Sequence, residues 1–165
     1  MEKEMTMIEE KYRHVADFSC NGIEGIRRTG IRVVEMRDRY VKTLMPIQGN
    51  VNHVGIMYAG SLFALGEMMG GALFGAAFDY LKYLPVAKEV SIRYRRPAMT
   101  DVTLVAEISE EDVARITAVL EEKGKADIPL DLELKDAQGE VVAIVHGVWQ
   151  GRKIPDGFEV PWGKA

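Results

Sequence analysis

Cysteine is nearly absent: Cys20 stands alone in 165 residues, so no disulfide can form within the chain and nothing argues for export. An excess of positive charge is missing too. The 21 Lys and Arg face 25 Asp and Glu for a net charge of -4, which argues against broad nucleic-acid binding and leaves room only for a local basic patch. His14 and His146 are isolated and show no metal-ligand spacing. There is no phosphate-cradling glycine loop, nucleophile elbow or Cys–His pairing. The start, Met1-Glu2-Lys3-Glu4, runs into charge without an apolar stretch, so no signal peptide and a cytoplasmic setting are the expectation. No internal repeat, low-complexity tract or linker divides the chain, and its length suits one domain, 1–165, around a single core.

What the sequence does have is one long apolar run. From Gly60 to Phe78 nearly every residue is apolar or small, and Gly66, Gly70, Gly71 and Gly75 give small-xxx-small spacings. Glu67 near its middle argues against a membrane span, where a central charge costs roughly 2.5–3.5 kcal/mol. The run is therefore expected to be a buried core helix, roughly Gly60 to Leu81. A helix apolar on every side needs cover on nearly every side.

Ahead of it, Ile8, Tyr12, Val15 and Phe18 recur at helical spacing as far as Asn21-Gly22 and predict an amphipathic N-terminal helix. Ile31 to Pro46 reads as two short strands around Arg37-Asp38-Arg39, and Ile47 to Tyr58 as a loop rich in Gly and Asn. Behind the apolar helix, Val90, Ile92 and Tyr94 alternate with Ser91, Arg93 and Arg95 within Glu89–Pro97, as in a half-buried strand. Val102, Leu104, Ala106 and Ile108 repeat the pattern. Ser109 and Asp112 form a capping box for a short surface helix carrying Val113, Ile116 and Leu120 and ended by Gly124. Leu130, Leu132 and Leu134 alternate with charged residues, and a turn at Ala137-Gln138-Gly139 leads into Val141–Gln150. That last strand is apolar on both faces, so it is central to the sheet or covered by a partner. An α+β architecture satisfies this order: an antiparallel sheet curved around one helix.

The segment Asn52-His53-Val54-Gly55-Ile56-Met57-Tyr58-Ala59-Gly60, with Glu67 seven residues on, resembles the loop-to-helix signature of hot-dog-fold acyl-CoA thioesterases of the phenylacetate-degradation type. In that signature an Asn and a Gly precede His-Gly-Gly and an acid lies on the helix. The Met-Tyr-Ala-Gly wording is similar to that of a small group of bacterial proteins. Val90–Ala98 and the hairpin Leu130–Ala143 also resemble the family, so the likeness covers about Ile31 to Trp149. It implies a hot-dog core over 31–154 behind a helical segment at 1–29. It further implies hydrolysis of an acyl-CoA thioester to free acid and coenzyme A at a site shared between subunits of a homodimer or homotetramer. No metal or redox cofactor is implied, coenzyme A entering only with the substrate, and neither a nucleic-acid nor a membrane partner is expected.

Carried over position by position, Glu67 is the catalytic carboxylate, which would activate water or attack the thioester directly, and its apolar helix should desolvate it and raise its pKa. Ala59 and Gly60 lie at the predicted helix start, where unpaired N–H groups can hold an oxyanion. Asn52 matches the Asn that orients water or thioester. Tyr58 stands where the family has its His, and it could donate a hydrogen bond or line the acyl pocket. His53 precedes Glu67 at an interval similar to the His–Glu pair of hot-dog β-hydroxyacyl dehydratases, although the Pro-Gly of those enzymes is missing. Arg93, Arg95 and Arg96, with Lys88 nearby, could meet coenzyme A phosphates, and His53 could join them. A non-catalytic acyl-CoA-binding module on the same fold is the other alternative. Because eight helical residues span about 12 Å, Glu67 and the Ala59 amide of one chain should not reach the same carbonyl.

Overall fold

A computed structural model describes residues 7–162; the charged start Met1–Glu4 lies outside them. The chain opens on a short strand, β1 (Met7–Ile8), and a 3-10 turn at Glu10–Tyr12. It continues through α1 (Arg13–Asn21), α2 (Glu24–Arg27), β2 (Arg32–Arg37) and β3 (Tyr40–Met45) to the long helix α3 (Ala59–Ala77). Then come β4 (Tyr83–Tyr94), β5 (Val102–Glu107), α4 (Glu110–Lys123), β6 (Lys125–Lys135) and β7 (Val141–Lys153).

The strands form one curved seven-stranded sheet in the order β1-β2-β3-β5-β6-β7-β4, antiparallel except for β1 beside β2. β7 is paired on both edges, with β6 and with β4, so it is central to the sheet, one of the two places its apolar faces allowed. α3 lies in the curve and touches β3, β4, β5, β6 and β7 as well as α1. Leu65, Met69, Leu73 and Phe74 are all at most 2% exposed. Among the described residues α3 is the one helix long and apolar enough to cross a membrane, and 67% of that stretch is buried within the fold. Its glycines admit close neighbours: a Cβ at Gly66 would stand 2.5 Å from Val145, and one at Gly70 would stand 2.1 Å from the Trp149 indole. The strand and the ring can therefore approach helix backbone directly.

Four boundaries differ from the sequence reading. Ile8 is not helical: it pairs with Met36 in β1, and Glu9 N–H donates to Met36 O at 3.0 Å, so the helix begins only at Arg13. α3 ends at Ala77, four residues short of Leu81, because Phe78 is extended and Asp79 starts a turn in which its Oδ1 accepts from Leu81 N–H. β4 and β6 begin earlier than expected because each passes through a proline, Pro85 and Pro129. β4 is the last strand of the sheet, and β6 pairs with β5 only at Leu134 and Lys135. At both prolines one strand edge carries no ladder, so a missing N–H is tolerated. The capping box is as expected: Ser109 Oγ accepts from Asp112 N–H at 3.0 Å, and Gly124 ends the helix in the left-handed region with φ 69.

Candidate functional site

The loop before α3 is organised by a residue that the sequence did not single out. Asn50, 5% exposed, donates from Nδ2 to Thr29 O (2.7 Å) and Pro46 O (2.9 Å), and its Oδ1 accepts from Ser61 Oγ (2.9 Å). Its carbonyl accepts from Tyr58 N–H at 2.7 Å. One buried amide thus ties the loop to the first turn of the helix. The only signal for it in the sequence was an Asn beside a Gly, which reads as any turn.

Tyr58 is the N-cap, extended at φ -61 and ψ 134, and offers the helix no side-chain cap. Its carbonyl takes the Ser61 and Leu62 N–H groups. Among the described residues the N–H groups of Ala59 and Gly60 have no acceptor, as expected of the first turn of a helix. The Tyr58 ring folds back over the helix start, and a Cβ at Gly60 would come within 2.3 Å of it. Tyr94 donates its hydroxyl to Ala59 O at 2.9 Å.

Asn52, Ala59, Leu62, Tyr94, Arg95 and Arg96 line a cavity of about 320 Å³ beside this helix start. Asn52 spends its Oδ1 on Val54 and Ile56 N–H (3.0 and 3.3 Å), holding the loop through Gly55 at φ 83. Its Nδ2 has no partner among the described residues. Arg96 is paired with Glu140 at 2.5 Å, whereas Arg93 and Arg95 are exposed and make no ion pair among the described residues. Lys88 does not join them. It pairs with Asp127 at 2.8 Å in the middle of β4, about 17 Å from Arg93 and about 23 Å from Arg95 at the rise of a strand. His53 is exposed and lines neither this cavity nor the one beside Glu67, so the His–Glu pair of a dehydratase is not assembled within the chain.

Glu67 lies elsewhere. It is half-buried on α3 and lines a second cavity, of about 230 Å³, between α3, α1, β4, β7 and Trp162 near the C-terminus. Burial pushes its carboxyl above the ordinary range, with no hydrogen bond or countercharge among the described residues to offset it. The two cavities share no lining residue. Helix geometry thus separates the acid from the free amides within one chain. Among the described residues no cluster of His, Cys, Asp and Glu is placed to hold a metal ion. His14 and His146 are each engaged singly, with Trp162 O and Asp131.

Residues 26–150 match the family described as a domain of unknown function, DUF4442. The chain is 38% identical to a protein of unknown function from Pseudomonas aeruginosa described as a probable thioesterase, with a TM-score of 0.82 over 90% of this chain and 99% of that one. A protein of unknown function from Chlorobaculum tepidum superposes at 0.77 with 16% identity, over 91% of this chain and 99% of that one. A thioesterase from Haemophilus influenzae does so at 0.67 with 11% identity, over 88% and 92%. No curated protein matches the chain. The architecture is the hot-dog fold, as the loop-to-helix resemblance implied.

Proposed function

The chain belongs to the DUF4442 family, and from that membership and the chemistry of its central helix we propose that it is a thioesterase that hydrolyses an acyl-CoA to free carboxylic acid and coenzyme A. The observation that carries this reading is Glu67: an uncompensated carboxylate, desolvated in the wall of an apolar cavity and raised in pKa by burial. Such a group is a stronger base than a solvated carboxylate and is suited to activating water or attacking a thioester. The similarity to a probable thioesterase at 38% identity supports the same reaction class.

The oxyanion of that reaction needs donors, and the unpaired amides of Ala59 and Gly60 supply them. Ala59 lines the other cavity and Gly60 follows it on the helix, so the complete site takes its acid from one subunit and its helix start from a second. The surface around the helix start supports such pairing. Tyr58, Phe63 and Tyr94 are exposed apolar residues there, and β4 presents an unpaired edge. An antiparallel pairing of two β4 edges about Ser91 sets Glu89 of each chain opposite Arg93 of the other, an attractive cross-strand arrangement. Asn52 and Arg95, in the cavity with Ala59, would orient the thioester and meet the coenzyme A phosphates.

Ala59→Pro tests this directly. Ala59 is the first helical residue and the preceding Tyr58 is extended. Proline is tolerated there and removes the N–H alone. Hydrolysis should fall about 100- to 1,000-fold with the fold intact. Mixing the inactive Ala59→Pro and Glu67→Gln chains under exchange should restore activity at roughly a quarter of the sites. No loss in Ala59→Pro removes that amide from the mechanism. Verified exchange without recovery removes the shared site.

A further inference from the structure

Glu67, Gly71 and Gly75 recur every four residues and so share one face of α3. All three line the 230 Å³ cavity, which therefore follows the helix for two turns, about 12 Å. A Cβ at Gly71 would meet no atom within 4 Å, so open space lies directly on the helix backbone there. At Gly75 the space closes, because a Cβ would come within 2.4 Å of Val15 on α1. The cavity also has an aromatic wall. Phe18 and Trp162 meet edge to face with centroids 5.4 Å apart. The Trp162 indole donates to Tyr80 O at 2.8 Å, and its carbonyl lies 2.6 Å from His14 Nε2. Tied at both ends, Trp162 is a fixed wall. The Ser19 hydroxyl, also in the lining, is spent on Val15 O at 2.8 Å. The cavity is thus an apolar trough with its reactive carboxylate at Glu67.

Resting on the thioesterase reading, we infer that this trough holds the acyl chain of the substrate, running from Glu67 over Gly71 toward Trp162, and that Trp162 is the specificity-determining residue that limits its length. A cavity of about 150 Å³ takes benzene, so 230 Å³ holds about nine carbons by proportion. The substrate class is a short- to medium-chain acyl thioester.

The test is kcat/KM on straight-chain acyl-CoAs of increasing length for the wild type, Trp162→Ala and Gly71→Leu. Binding of the matching free fatty acids is read in parallel by tryptophan fluorescence, from Trp149 and Trp162 together where both are present and from Trp149 alone in Trp162→Ala. In the wild type both readouts should favour chains up to about nine carbons and fall at least about tenfold a few carbons beyond. Trp162→Ala should move that break to longer chains, and Gly71→Leu, filling the trough, to shorter ones. Trp162 follows the last strand, so its variant decides the matter should Gly71→Leu not fold. Hydrolysis with the same length profile in the wild type and Trp162→Ala overturns the assignment while leaving the thioesterase reading intact. Absent hydrolysis, with fatty-acid binding whose length limit still moves in Trp162→Ala, overturns the enzyme reading and keeps the acyl site.

Discussion

Gly70 and Gly71 are neighbours on α3, yet alanine at the two positions should act in opposite directions. Both substitutions gain about 1 kcal/mol of helix propensity, since glycine gives up more backbone freedom on folding. At Gly71 the new methyl meets nothing within 4 Å, so the gain should survive as about 0.5–1 kcal/mol of stability. At Gly70 the methyl would lie 2.1 Å from Cε2 and 2.2 Å from Nε1 of Trp149, well inside contact distance. That indole is 2% exposed and packed between sheet and helix, so it can move only by displacing its neighbours. Overpacking costs about 1–3 kcal/mol, and a 2.1 Å approach to a ring that cannot turn away falls in the upper part of that range, about 2–3 kcal/mol. Net of propensity, Gly70→Ala should lose about 1–2 kcal/mol. For a domain of this length the melting temperature should rise by about 1–4 °C in Gly71→Ala and fall by about 2–8 °C in Gly70→Ala. Thermal and urea unfolding at one fixed protein concentration measure both. Equal shifts of the same sign would refute the direct seating of Trp149 on the helix backbone, and with it the open trough over Gly71.

Glu67→Gln should lose about 100- to 10,000-fold in turnover while becoming more stable than the wild type at neutral pH. The carboxyl binds protons more tightly when folded, so the wild type loses stability as pH rises from the ordinary carboxylate value through the raised one. The stability gain in Glu67→Gln should therefore vanish below about pH 4, and wild-type activity should rise with pH through a limb above the ordinary carboxylate range; a stability difference independent of pH contradicts the burial of the charge. Asn50→Asp should cost about 2–4 kcal/mol by urea unfolding, because it sets an oxygen against the carbonyls of Thr29 and Pro46; an unchanged midpoint would remove Asn50 from its place in the loop. Arg95→Ala should raise KM for an acyl-CoA more than for an acyl-pantetheine, with the gap closing at high salt. Equal effects on both substrates would make Arg95 part of the solvated surface.

The apolar run around Glu67 was enough by itself to demand a helix enclosed by sheet, because an all-apolar helix has no face to give to water. Alternation in Val102–Ile108 and Leu130–Leu134 likewise determined which strands bury one side, whereas two apolar faces in Val141–Gln150 allowed a central strand or one covered by a partner, and pairing with β4 and β6 made it central. Glu67 stood out as a lone charge for the same reason. The strand ends at Pro85 and Pro129 were not legible, because a proline is allowed or forbidden by whether the neighbouring edge is paired, which no local pattern records. Asn50 and Asn52 are both loop asparagines in the sequence. Only the path of the chain past Thr29, Pro46 and Ser61 makes one the buried tie and leaves the other in a turn. Lys88 lay near the arginines in sequence and far from them along an extended strand. Trp162 gave no signal at all, since its place beside Phe18 and Tyr80 joins the two ends of the chain across the central helix. Periodicity reports which face of an element is dry and aligns Glu67 with Gly71 and Gly75, whereas the meeting of distant side chains is decided by packing, which sets α1, β4, β7 and Trp162 around that face as the walls of the trough.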